Sequence, residues 1–291
     1  MIQIFQTPIA RPSAAALLLV AVLVVLAGCG LQTGYTPDKI PVHRGQGLAE
    51  HLAPVDSLTV VSWNIQYGRN VDLAVSEMQA NPRLAAADIV LLQEMDPVGS
   101  ERVAKALGFY FVHGSAYVHP KHKRLFGNAV LSRWPIVNDQ VLILPHETLL
   151  TGHRRIAVAA DIDLGEGRTV RAISLHTSTM IMEQDKRIAQ ARAVGDSLGG
   201  LQELMVIGGD FNTVSVYEVN RLRQTMRRLG LQSARLPSGP TISNRFKKLP
   251  GSTPVLDHLF SHGLEATDTG VDRTTTASDH YPIWAVFRLQ N

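Results

Sequence analysis

Thiol chemistry is almost missing from this chain: Cys29 is the one cysteine among 291 residues. A lone thiol cannot close an internal disulfide, so the fold has to rest on its own core, and a chain of this length can build one. A structural zinc site is set aside on similar grounds, because the histidines are scattered and no Cys/His cluster has ligand spacing. Neither sign of charge dominates, with 28 Lys and Arg against 25 Asp and Glu, so the charge balance alone does not argue for a nucleic-acid partner. There is no internal repeat and no low-complexity block. The longest apolar run, Ala14 to Ala27, has fourteen residues and falls short of the ~20 that span a bilayer. What is left, 45% hydrophobic and 18% charged, is the composition of a globular protein.

The fourteen-residue run has the length of an export-signal core, and Arg11 is the only charged residue among the first 28. It ends in Leu26-Ala27-Gly28-Cys29, which resembles a bacterial lipobox. That resemblance implies a signal peptide over 1–28, cleavage before Cys29, and a lipid on Cys29 that holds the protein to a membrane. Gly30, rather than Asp, after the cysteine favours the outer over the inner membrane, on the periplasmic side. An ordinary signal peptide or an uncleaved anchor is the plainer alternative. Loss of 1–28 leaves 27 basic and 25 acidic residues. Gly30 to Pro54 has no apolar period and reads as tether, which puts the tether at 29–56 and the folded domain at 57–289.

From Ser57 onward, strands and helices alternate. Leu58–Trp63, Ile89–Gln93, Phe109–Val112 and Asn128–Leu131 read as strands. Val71–Gln79 has helical spacing behind Asn70 as a cap, and Ser100–Leu107 is a short helix stopped by Gly108. Arg155–Leu164 and Thr169–Leu175 flank Gly165-Glu166-Gly167, a hairpin signal. Glu183–Leu198 and Tyr217–Leu229 are helices, and Leu256–Phe260 and Ile283–Phe287 are short strands. Hairpins mixed with crossovers predict an α/β domain of two sheets with helices outside, not one parallel sheet.

The stretch Leu204 to Asn212, LMVIGGDFN, organises the rest. An apolar strand runs into Gly208 and Gly209, which permit a sharp turn and a close approach, and Asp210 and Asn212 follow two apart. Gly-Gly-Asp is also ordinary turn chemistry. Other strand ends tip the balance: Asn64, Gln93-Glu94 and His176 stand where a buried strand finishes, Asp257-His258 follow Leu256, and Asp279-His280 precede the last strand. Acids, amides and imidazoles at several strand ends converge on one cleft.

The ordered set WNIQ, LLQE, GNAVLSRWPI, SLHTS, GGDFN, LDHLF and SDHYPI resembles the endonuclease/exonuclease/phosphatase family over about 60–287. The resemblance implies a four-layer α/β sandwich, two mixed β-sheets packed face to face with helices outside, and a metal-dependent phosphoesterase. Hydrolysis of a phosphate ester needs a cation on the phosphoryl oxygens, an activated water and relief of charge on the leaving oxygen. Glu94 suits a hard ion, Mg²⁺ first with Mn²⁺ or Ca²⁺ as alternatives, and Asn64 supports it. Asp279 matches a position that contacts a metal in some members. His280 is the candidate proton carrier, and by resemblance Asp257 orients it. By the same resemblance Asp210 positions or deprotonates the water, Asn212 donates to a phosphoryl oxygen, and His176 is a phosphate donor or leaving-group acid.

Asn128, Arg154 and Arg155 are weaker candidates for substrate contact. Lys121–Arg124 and Arg221, Arg223, Arg227 and Arg228 read as solvated faces rather than a nucleic-acid groove. No aromatic hairpin insertion suited to entering a bilayer is visible. The expectation is a monomeric, exported phosphodiesterase acting on nucleic acid, phospholipid or a small phosphodiester. A phosphomonoesterase and a catalytically inactive envelope-anchored binding module of the same fold are the alternatives.

Overall fold

The computed structural model describes residues 39–48, 55–147, 152–179, 183–197, 203–243 and 254–289. Cys29 and the expected signal peptide lie outside the described residues. No helix among the described residues is long and apolar enough to cross a membrane.

The strands are β1 Val42–Gly45, β2 Ser57–Asn64, β3 Ile89–Met95, β4 Tyr110–Val118, β5 Leu125–Ser132, β6 Ile136–Ile143 and β7 Ile156–Gly165. They continue with β8 Arg168–His176, β9 Leu204–Asp210, β10 Gln232–Ser233, β11 Asp257–His262, β12 Leu264–Val271 and β13 Ile283–Leu289. The helices are α1 Val71–Ala80, α2 Pro82–Ala85, α3 Pro97–Leu107, α4 Gln184–Ser197 and α5 Val216–Arg228. One sheet has seven strands in the order β1-β4-β5-β3-β2-β13-β12, the other six in the order β10-β11-β9-β8-β7-β6. Each carries one parallel pair, β2 with β3 and β8 with β9, flanked by antiparallel neighbours. The segments that cross over between them supply α1 and α2 in one sheet and α4 in the other.

Side-chain alternation sorts the core into three seams. Leu58, Val60, Ile89 and Leu91 of one sheet meet Val158, Ala172, Val206 and Leu259 of the other. The intervening residues, Val61, Trp63, Val90 and Leu92, pack on Ala74, Met78 and Val103 of α1 and α3. Ile173, Leu175, Met205 and Ile207 likewise pack on Ala191, Leu222 and Met226 of α4 and α5. Both faces of each central strand are covered, which is why these strands read as continuous apolar runs. Two mixed sheets face to face with helices outside is the architecture the sequence implied.

Several local expectations are corrected. Part of the segment read as tether is structured: Val42–Gly45 pairs antiparallel with β4, and Arg44 holds Asp139 of β6 at 2.6 Å. Its pairing is made by backbone and a distant carboxylate, which leave no local apolar period. Gly208 and Gly209 do not turn; β9 runs through them to Asp210. Their smallness serves close approach, since a Cβ on Gly209 would stand 1.7 Å from the Leu175 carbonyl oxygen. Asn70 precedes α1 but makes no side-chain cap; its amide donates to the Ala277 carbonyl. The helix expected from Ser100 starts at Pro97, capped by Asp96 Oδ1 accepting from Gly99 N at 2.6 Å.

Candidate active site

The site is the inter-sheet core continued in polar residues. In β2, Leu58 and Val60 face the other sheet, and the same parity carries Ser62 and Asn64 inward. In β8, Val170 and Ala172 are followed on that face by Ser174 and His176; in β9, Val206 by Gly208 and Asp210. In β11 the inward Leu259 is preceded by Asp257. His176, Asp210 and Asp257 are register partners across three adjacent strands. His280 reaches them from the loop before β13, where Trp63 Nε1 donates to its carbonyl at 2.8 Å and Ser278 Oγ accepts from its N–H at 3.2 Å.

Glu94 arrives differently. Parity along β3 would send it toward the helices, because Gln93 already faces inward. The pairing of β3 with β5 shifts between Leu92 and Met95, and Glu94 sits at φ +59°. A bulge of this kind re-aims a side chain, and the left-handed conformation costs a non-glycine residue roughly 1–2 kcal/mol. Glu94 Oε2 accepts from Tyr67 N at 3.1 Å. Gln66 and Tyr67 themselves have φ of +23° and +59°, so the loop facing Glu94 is strained as well.

His280 Nδ1 donates to Asp257 at 2.9 Å, and its Nε2 stands 3.7 Å from Asp210 Oδ2. Arg155 Nη1 donates to His176 Nδ1 at 3.3 Å, which leaves the proton of the neutral ring on Nε2, 3.5 Å from Asp210 Oδ2. Asn64 Nδ2 donates to Asp210 Oδ2 at 3.1 Å, and Asn212 N donates to Asp210 Oδ1 at 2.9 Å. Asn212, at φ +52°, gives its own Nδ2 to the Thr177 carbonyl at 3.3 Å. Asp279 Oδ2 accepts from Gln66 Nε2 at 2.7 Å.

These groups perturb one another. Burial pulls the His280 imidazole down, but the Asp257 and Asp210 carboxylates overcome it and raise it to about 10. Burial, helped by Asp257 and Glu94, pushes the Asp210 carboxyl up to about 7 against the pull of His280. Burial, then Arg155 and His280, hold His176 well below the ordinary imidazole range, so it is a neutral donor. Burial also raises the Glu94 carboxyl against the pull of Arg155 and His280.

A divalent cation fits this donor set. Glu94 is a buried carboxylate near a second one, Asp279, and Asn64 carries a carboxamide oxygen that here accepts from Gln66 N at 3.2 Å; all three offer oxygen donors of the kind hard ions take. Bound there, such an ion supplies Lewis acidity to phosphoryl oxygens. Asp210, Asp257 and His280 also bring donor atoms within 4.8 Å of one another. Since His280 Nδ1 already carries its proton to Asp257, this second cluster is better suited to handling protons.

Of the weaker candidates only Arg155 joins the centre. Arg154 pairs with Glu147 at 2.6 Å on the surface. Asn128 donates to the Ile156 and Ser174 carbonyls at 2.9 and 3.3 Å, tying the two sheets together beneath the site. Gln93 does the same by donating to Ser174 Oγ at 3.0 Å, and it also donates to Ser62 Oγ of its own sheet at 3.3 Å. Sequence reading did not find the supporting roles of Gln66, Tyr67, Ser174 and Ser278; positive φ at Gln66 and Tyr67 leaves no motif, and the two serines act through partners distant in the chain.

Residues 61–280 match the family model described as Endonuclease/Exonuclease/phosphatase family. The chain belongs to that family. A UPF0294 protein of Yersinia pseudotuberculosis is 24% identical over 84% of this chain and 89% of its own length. Among solved structures, an endonuclease/exonuclease/phosphatase from Beutenbergia cavernae superposes with a TM-score of 0.65 at 21% identity, covering 81% of this chain and 72% of that one. TDP2 of D. rerio, complexed with single strand DNA product, superposes at 0.62 and 17% identity, covering 80% of this chain and all of that one. At such identities these superpositions speak for the fold alone. The endonuclease/exonuclease/phosphatase fold is thus shared, and members of the family are usually hydrolytic phosphoesterases.

Proposed function

We propose that this protein is a Mg²⁺-dependent phosphodiesterase acting outside the cytoplasm, held to the outer membrane by a lipid on Cys29. The observation that carries the catalytic reading is the convergence of Asn64, Glu94, His176, Asp210, Asn212, Asp257 and His280 on one end of the sandwich, with His280 locked to Asp257 at 2.9 Å. Glu94, Asn64 and Asp279 hold the cation. Asp210 positions or deprotonates the attacking water, and His280, oriented by Asp257, handles protons in the same step. Asn212 and His176 donate to the phosphoryl and leaving oxygens, where charge develops in the transition state. A fold neighbour that carries a single-strand DNA product places nucleic acid among the substrates to try first.

The test is turnover of the purified protein against DNA, RNA, phospholipid, small phosphodiesters and phosphomonoesters, with Mg²⁺ or with EDTA. Turnover of a diester that stops in EDTA is the expected result. Preference for monoesters makes it a phosphomonoesterase, and no turnover of any substrate with any of Mg²⁺, Mn²⁺ or Ca²⁺ makes it a binding module. For the anchor, Cys29→Ser should free the protein from membranes or leave an unprocessed precursor; unchanged mass and fractionation would remove that part.

A further inference from the structure

On the outer face of the six-stranded sheet, α5 and the segment around β10 enclose a groove of about 1000 Å³. Tyr217, Asn220, Arg223, Gln224, Arg227 and Arg235 line it, and no carboxylate among the described residues does. Arg221, also at the groove, is neutralised by Asp185. Arg223, Arg227 and Arg235 make no ion pair among the described residues, and Arg223 Nε is buried without an acceptor. Burial and the charge of Arg235 both lower the Arg223 guanidinium from its ordinary value. Guanidiniums pressed together with an unmet N–H lower stability, and an anion seated between them would relieve both faults. On the helix alone these arginines look like a solvated face. The fold changes that by bringing Arg235 against them from the opposite wall.

The shape and place of the groove select the anion. From Tyr217 to Arg227 the helix rises about 15 Å, longer than one phosphate group and suited to a chain of them. Tyr217 is 67% exposed and offers a ring at the end of α5 that follows Asn212 and the catalytic strand end. At the other wall Ala234 N donates to Leu259 O, so Arg235 stands close in level to the strand end that carries Asp257. A bilayer is the less suitable partner. β1, through which the chain enters the domain, lies at one edge of the sandwich with β4 over β6, and the groove lies at the other, where β11 packs near β12. A tether before β1 therefore leaves the groove on the far edge.

We propose that this groove is an exosite for single-stranded nucleic acid, its backbone phosphates held by Arg223, Arg227 and Arg235 and a base stacked on Tyr217. Only the fate of the bound strand rests on the phosphodiesterase reading; binding itself needs neither the cleft nor a metal. The experiment is fluorescence anisotropy of the full chain with a labelled oligothymidylate in EDTA, across a salt series. The Arg223→Gln/Arg235→Gln variant should bind at least about tenfold more weakly and lose about 1.4 from the log–log salt slope, two single-strand phosphate contacts. Tyr217→Ala should lose about tenfold with the slope unchanged. Arg227→Gln changes an exposed side chain only and should lose about 0.7 of slope, which keeps the proposal testable if the double variant does not fold. Wild-type affinity and slope in these variants would overturn it. So would loss of binding to phosphatidylglycerol vesicles with oligonucleotide binding intact, which would make the groove a lipid-surface site. Turnover of a small chromogenic phosphodiester with Mg²⁺ should be unchanged in all three. If the wild type lacks that turnover while the anisotropy effects hold, the catalytic reading fails and the groove stands.

Discussion

In the six-stranded sheet, His176, Asp210 and Asp257 fall in one row across β8, β9 and β11, in regular pairing and on the face that elsewhere holds Val206 and Leu259. In the seven-stranded sheet, only Asn64 reaches the site by strand alternation. Glu94 needs a bulge and a φ of +59°, and the loop that faces it carries two further non-glycine residues at positive φ. The sheets are otherwise built alike, each around a parallel pair with apolar inner faces. His176, Asp210 and Asp257 of the proton-handling half thus inherit their geometry from the sheet, with His280 brought to them by the loop before β13, whereas the half proposed for metal is aimed by irregular backbone. The Asn64 amide joins the halves, reaching Asp210 from the seven-stranded side at 3.1 Å.

Breaking the proton-handling half should have the largest effect. His280→Ala is expected to lower kcat by ~10²–10⁴-fold with a modest change in KM, because the lost interaction forms mainly in the transition state. Asp257→Asn should do the same more mildly, and the double variant should be no worse than His280→Ala, since the two act as one unit. Losses that multiply would give Asp257 a separate task. The regular register should also be intolerant of bulk. Gly209→Ala puts a methyl against the Leu175 carbonyl, a backbone atom that cannot swing away, and should destabilise by ~3 kcal/mol or more, read from denaturant unfolding. Unfolding like wild type would mean that β8 and β9 can part without cost.

Breaking the irregular half should show a different signature. Glu94→Gln keeps shape and removes the ligand charge, so Mg²⁺ dependence should shift by about tenfold or more while the melting temperature holds or rises. If excess metal cannot restore rate, or if the variant titrates like wild type, Glu94 is not a ligand and the division of labour between the sheets is wrong.

The smallest effect on turnover is expected outside the site, at a residue that serves as a control for stability. Burial lowers His113 to about 4, where its Nε2–H donates to the Met95 carbonyl at 3.0 Å. The ring is neutral in the fold and gains a proton on unfolding below its ordinary value of 6.5. Its contribution is therefore present above pH 6.5 and lost as pH falls toward 4, at up to about 1.4 kcal/mol per pH unit. His113→Gln should flatten that part of the stability–pH curve; an unchanged slope would mean that the buried ring is not what titrates.

The sequence by itself determined the order of strands and helices over most of the domain, the two-sheet class, and the row of polar strand ends. The reason is that buried parallel strands must be apolar throughout, so a carboxylate or imidazole at the end of one stands out. Asn64, His176 and Asp210 were legible on that ground, Asp257 and His280 by standing beside further short apolar strands, and the spacing within these motifs carried the family resemblance. Tertiary structure alone decided the rest. β1 is held by backbone pairing and one distant ion pair, which write no period. Arg154 and Arg155 are neighbours of one type, and only packing sends one to Glu147 and the other to His176. Asn128 looks free to meet a substrate until the second sheet arrives to take its amide. Glu94 shows the limit most plainly: alternation points it away from the cleft, and a backbone twist that costs energy locally, imposed by its neighbours, turns it in.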